Sequence, residues 1–164
     1  MSRKRFDEMN CAIAQALEVL GDWWTFLIIR DAFLGVSRFS DFQQSLGIAK
    51  NVLSNRLQHL VAHDVLEKVE VKRRGCQYEY RLTPQGKDLY TTITALRQWS
   101  DKWIMGAGRE PILVNDSRTG KPVPQVRVLD SNGAAIPAHC VEVVPGPGAN
   151  RLNAVEAALP EPIA

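Results

Sequence analysis

Gly47-Ile48-Ala49-Lys50-Asn51-Val52-Leu53-Ser54-Asn55-Arg56-Leu57-Gln58-His59-Leu60 carries leucines at 53, 57 and 60, spaced +4 and +3. That spacing predicts a helix over about 49–62 with one apolar stripe turned inward. The opposite side then presents Lys50, Asn51, Ser54, Asn55 and Gln58, a surface rich in amide groups. Just upstream, Phe39, Phe42 and Leu46 predict a shorter helix over about 38–46, which Gly47 ends. Two short helices joined at a glycine, the second with an amide-bearing outer face, form a helix-turn-helix pattern.

The flanks extend the pattern on both sides. Ile13, Leu17 and Leu20 predict a helix over 11–20, broken at Gly21-Asp22. Residues 23–34 place Trp23, Trp24, Phe26, Leu27, Ile28, Ile29, Ala32 and Phe33 on almost every face, which predicts a central helix buried on most sides. Gly35 suits the left-handed residue that follows a helix. Beyond the helix pair, Leu66–Val71 and Gln77–Leu82 predict a hairpin whose turn, Lys72-Arg73-Arg74-Gly75-Cys76, is basic. Thr83-Pro84 then predicts an N-cap and first position for a long helix with Leu89, Ile93, Leu96, Trp99 and Trp103 on one stripe.

The expected fold is mainly α with a β-hairpin wing: a winged helix-turn-helix plus a small C-terminal β appendage. The composition agrees with a folded chain, at 45% hydrophobic and 23% charged over 164 residues. It excludes disorder as the main state, and no apolar run has the ~18–20 residues of a membrane span. Net charge is +2, but residues 1–104 hold fifteen basic and twelve acidic side chains, and residues 105–164 five and six. The positive field is therefore local, concentrated at Arg3-Lys4-Arg5 and Lys72-Arg73-Arg74. From residue 106 the composition shifts, with eight of the nine prolines at or after Pro111. Valine-rich pieces around 112–114, 125–129 and 140–144 predict the appendage, and residues from 145 onward a loop or tail. The expected units are 8–105, the winged helix with its long last helix, and 106–164. With no secretory signal and three widely spaced cysteines, the expected compartment is the cytoplasm.

A closer resemblance rests on several short matches in order. Asn10-Cys11-Ala12-Ile13, Leu20-Gly21-Asp22-Trp23-Trp24-Thr25 and Leu27-Ile28-Ile29-Arg30-Asp31 begin it. Gly35-Val36-Ser37-Arg38-Phe39, Gly47-Ile48, residues 52–57 and Tyr78-Glu79-Tyr80-Arg81-Leu82-Thr83-Pro84-Gln85-Gly86 continue it. Over about residues 8–104 the chain resembles the HxlR-type winged-helix transcriptional regulators of the MarR-like group. The resemblance implies a homodimer that binds double-stranded operator DNA, with the first and last helices packing across the dimer.

Residue chemistry assigns the roles within that frame. Asn51 and Asn55 suit adenine edges in the major groove, with Ala49, Ser54 and Gln58 beside them. Lys50, Arg56 and Arg38 suit phosphates, and Lys72, Arg73 and Arg74 the backbone or minor groove beside the wing. Ile13, Leu17, Leu89, Ile93, Leu96, Trp99 and Trp103 are the dimerisation set. Cys11 matches the N-terminal cysteine that senses oxidants or electrophiles in some family members. Cys76 lies beside two arginines, which favour a thiolate.

Repression by promoter occlusion is the default expectation, with a small-molecule or oxidant effector. His59 and His63 share a helical face at i, i+4, and His139-Cys140 is a second pair, but neither gains a four-ligand set, so no metal or other cofactor is expected. No GxSxG, phosphate-cradling loop or HExxH motif occurs, so no enzyme is expected. Two rivals remain: a winged helix that binds protein instead of DNA, and a small thiol or ligand-binding enzyme that uses Cys11. The extension resembles a zinc ribbon that keeps the glycines of its turns, at Thr119-Gly120-Lys121 and Asp130-Ser131-Asn132-Gly133, without the thiolates.

Overall fold

The computed structural model describes residues 6, 8–73 and 76–149. Five helices run in chain order as α1 (Ala12–Leu20), α2 (Trp23–Phe33), α3 (Phe39–Leu46), α4 (Lys50–Ala62) and α5 (Pro84–Ser100). Between α4 and α5 lie strands β1 (Leu66–Arg73) and β2 (Cys76–Leu82). The fold is a mainly helical winged helix with a two-stranded antiparallel wing.

Local chemistry fixes the ends of these elements. The Asp22 carboxylate accepts from Trp24 N–H at 3.0 Å and caps α2. Gly47 follows α3 at φ +61°, and its N–H returns to Gln43 C=O, so the chain reverses into α4 within a residue or two. At α5, Thr83 Oγ1 accepts from Gly86 N–H at 3.0 Å and Pro84 occupies the first turn. Gly86 sits hard against the loop before β1. A Cβ there would lie 2.1 Å from the Val65 carbonyl oxygen, so glycine alone permits this approach.

Ile28 and Ile29 of α2, Phe42 of α3, and Leu53, Leu57 and Leu60 of α4 form the centre of the core, all fully buried. Ile48, Val65 and Leu66 complete it from the connecting segments. Each such side chain contributes on the order of 1.5–3 kcal/mol on burial. The wing is held at its root, where Leu66 pairs with Leu82 and Tyr80 N–H donates to Ser37 C=O at 2.7 Å. Its register becomes irregular between Glu70 and Arg73.

Three expectations change. Helix α2 is buried or half-buried along most of its length, but Trp23 is 79% exposed, because its position at the first turn carries it past the core's edge. The stripe on α5 also divides. Leu89 and Ile93 pack on the protein's own core, whereas Leu96, Trp99 and Trp103 lie beyond it and are exposed. After Ser100 the helix loosens into one π-helical turn, Asp101–Met105. Finally, the valine-rich pieces form no continuous strands. The extension has two turns closed by single bridges, Asn115 to Pro122 and Leu129 to Ala135, with Gly120 and Gly133 at positive φ.

The extension is tied back by amide side chains. Gln98 of α5 donates from Nε2 to Pro124 C=O at 2.9 Å and accepts Val126 N–H on Oε1 at 2.8 Å. Asn10, ahead of α1, donates to Gly148 C=O at 2.8 Å. Residues 150–164, the rest of the expected tail, lie outside the described residues.

Candidate nucleic-acid interface

Because Leu53, Leu57 and Leu60 occupy the core, the 3.6-residue period turns the other side of α4 outward. Ala49, Lys50, Asn51, Asn55 and Gln58 are exposed there, and Ser54 is half-buried among them. No hydrogen bond with the described protein engages the Asn51 or Asn55 amide. Their donors and acceptors are free for an external partner. Phe39 of α3 joins Lys50, Asn51 and Ser54 around a shallow concavity at the start of α4.

The N-terminus of α4 carries Ala49 as its cap residue with no side-chain cap, and no acidic residue in its first turn. Free N–H groups and the positive helix end are left beside Lys50, an arrangement that suits phosphate. Arg38 stands at the N-cap position of α3, half-buried.

Arg56 has an intramolecular partner that sequence spacing did not reveal. Its Nη2 lies 3.2 Å from Asp22 Oδ2, so α4 is linked to the N-terminus of α2. The guanidinium is directed at a carboxylate within the protein rather than offered freely outward. Lys72 and Arg73 fall in β1, where the backbone alone is described, and Arg74 lies outside the described residues. On the wing's body, Lys68 Nζ stands 4.1 Å from the Tyr78 ring centroid. Burial raises the Tyr80 phenol above its ordinary pKa, so it stays protonated near neutrality.

The dimerisation candidates separate by exposure. Ile13 is 72% exposed on α1 and Leu17 is also exposed; Trp103 is 66% exposed in the π turn, with Leu96 and Trp99 nearby on α5. Leu89 and Ile93 belong to the protein's own packing. Cys11 is half-buried at the N-cap position of α1, Cys140 is exposed, and the side chain of Cys76 lies outside the described residues. His59 is structural: its Nε2 lies 3.1 Å from the Val19 carbonyl oxygen, and its ring packs against His63 with centroids 4.2 Å apart.

A second polar feature also escaped sequence reading. Asp31 is 2% exposed in the last turn of α2. Its Oδ1 receives Arg30 Nε at 2.8 Å, and its Oδ2 receives Ser45 Oγ at 2.7 Å. The signal available was an acidic residue inside an apolar helix, which demands a buried partner.

The helix pair followed by a strand hairpin makes this a winged helix-turn-helix protein, a class that regulates transcription through DNA. The profile of the HxlR-like helix-turn-helix family matches residues 19–107, and the chain belongs to that family. An HTH-type transcriptional regulator of Mycobacterium bovis, Mb3122, is 36% identical over 137 residues, 84% of this chain and 87% of that protein. The crystal structure of PA1607, described as a transcription-factor candidate, superposes with a TM-score of 0.80 at 37% identity. It covers 86% of this chain and 99% of that one. PA1374 of Pseudomonas aeruginosa, similarly described, gives a TM-score of 0.62 at 32% identity, over 89% of this chain and 99% of its own. The 137-residue alignment with Mb3122 is too long to end at residue 107, so the likeness includes part of the extension. Such relatives are named HTH-type transcriptional regulators, and this chain is a DNA-binding regulator of the same type. Among the described residues no single helix is long and apolar enough to cross a membrane.

Proposed function

We propose that the protein is a homodimeric, sequence-specific repressor that places α4 in the major groove of operator DNA. One observation carries this reading: the unpartnered Asn51 and Asn55 amides stand directly opposite a fully buried leucine stripe. A rigid helix that presents amides outward is suited to pair with adenine N6 and N7. Lys50 and the free N–H groups of α4 hold the phosphate backbone, Arg38 assists from α3, and the basic wing tip adds contacts. Arg56 acts as a brace for α4.

One such module is small for specific binding, and a two-fold pair reads two half-sites about one helical turn apart. The exposed Ile13, Leu17, Leu96, Trp99 and Trp103 supply the apolar surface for that pairing. Occlusion of a promoter by the bound dimer gives repression, in the cytoplasm, with Cys11 as the thiol through which an oxidant would act. Selection of bound duplexes from a random pool tests the reading. A palindromic consensus supports it; a directly repeated one overturns the two-fold pairing, and enrichment no greater than with the Asn51→Ala/Asn55→Ala variant refutes the reading.

A further inference from the structure

We infer that the cavity between α2 and α5 is an effector site for a small, aromatic-sized apolar molecule bearing one hydrogen-bond-accepting oxygen. The cavity measures about 480 Å³. Leu34, Leu96 and Ile112 leave it open to solvent on one side, and its size lies within the range of small-molecule clefts, roughly 300–1,000 Å³. Phe26 and Leu27 of α2 with Leu34 just after it form one wall, Ile93 and Leu96 of α5 the other, and Ile112 crosses it as a strap. Water gains few partners against such walls, whereas an apolar occupant would bury surface on three sides.

The polar part of the lining decides the ligand chemistry. Arg30, Arg97, Ser100 and Asp101 line the cavity. Each guanidinium already has one carboxylate, Arg30 with Asp31 at 2.6 Å and Arg97 with Asp101 at 2.6 Å. The charge is thereby balanced while further N–H donors remain. A neutral body with an accepting oxygen complements this set.

Arg30 also connects the cavity to the helix-turn-helix. It holds Asp31, and Asp31 holds Ser45, which lies in the last turn of α3. An occupant whose oxygen takes the remaining Arg30 donors and whose body displaces that side chain strains its bonds to a nearly fully buried carboxylate, which is costly. The strain falls on the contact that ties α3, the first helix of the helix-turn-helix, to α2, so occupancy weakens DNA binding. This regulation rests on the DNA-binding reading above; the site itself does not.

The test uses prodan, an uncharged naphthyl ketone whose emission shifts to the blue in apolar surroundings. Titrated into the DNA-free full-length protein, it is expected to bind saturably at one site per chain. Leu27→Trp fills the wall and Ile112→Trp fills the strap from the exposed side; each is expected to weaken binding at least about tenfold. Bound duplex is expected to lower prodan affinity about fivefold, and prodan to lower duplex affinity by the same factor. Ser45→Ala is expected to keep prodan affinity while shrinking that coupling. Unsaturable binding, or binding lost in Trp103→Asp but kept in both filling variants, overturns the site. Saturable binding with no mutual effect on the duplex overturns the regulation. Failure to retain any duplex in the absence of dye counts against the DNA-binding reading alone.

Discussion

Arg56 Nη2 stands 3.2 Å from Asp22 Oδ2, so the helix that offers amides outward is braced on the residue that caps α2. One carboxylate thus serves the helix end and the guanidinium together. Asp22→Ala removes both interactions and is expected to cost about 1–2 kcal/mol of folding stability, read by urea denaturation. Arg56→Ala loses the half-buried pair alone and is expected to cost less than about 1 kcal/mol. If Arg56 is a brace, its removal leaves the salt dependence of DNA binding unchanged. Lys50→Ala, by contrast, should flatten the log–log salt slope by about 0.9.

Asn51→Ala is expected to weaken binding to the preferred operator by about 1–3 kcal/mol and to relax base preference at one position per half-site. Binding to random duplex should change little. Quantitative gel shifts on both DNAs check this, and equal losses would move Asn51 from reading bases to holding phosphate.

Trp103→Asp puts a charge on the exposed face beyond the core, where Trp103 makes no contribution to the central packing. Sedimentation is expected to show monomers with a normal circular dichroism spectrum. Leu89→Asp is expected instead to unfold the domain, since Leu89 packs on the core. A dimer that persists in Trp103→Asp would place the subunit seam elsewhere.

The contact at Gly86 gives a test of the fold itself. A methyl group there would meet the Val65 carbonyl oxygen, a backbone atom that cannot swing aside. Gly86→Ala is expected to destabilise by about 1–3 kcal/mol despite the higher helix propensity of alanine. An unchanged or raised melting temperature would show that α5 can lift from the loop.

Asp116 is held below its ordinary pKa first by the side-chain hydrogen bond from Arg118. A carboxylate depressed by folding supports the turn above its unfolded pKa of about 3.9, and that support is lost as pH falls through the lower folded value. Residues 116–121 are therefore expected to loosen under acid conditions, with the Arg118 Nε signal in NMR reporting the change. In Asp116→Asn the same signal should no longer follow pH.

Much of the winged helix was legible because its determinants are local. The 53, 57, 60 leucine spacing, the left-handed Gly47 and the Thr83-Pro84 cap act within a turn or two of themselves. What periodicity could not say is where the core ends. The stripe from Leu89 to Trp103 is continuous in sequence, yet its first part packs inward and its last part is uncovered. Trp23 was misjudged for the same reason. The Asp22–Arg56 and Asp31–Ser45 contacts join positions 34 and 14 residues apart, beyond the reach of spacing rules. In the extension, valine content suggested strands, but each turn closes with one bridge and has no neighbouring strand against which to continue.

The two bonds from Gln98 to the 124–126 peptide reproduce, with a side chain, what a neighbouring strand would supply. This makes the segment through Pro124 and Val126 a splint on α5, borne by the very helix proposed to join two subunits. A shortened protein ending at the family boundary would keep every DNA-facing group and still leave that helix bare. Any transplant of this module into another regulator must therefore carry the splint with it.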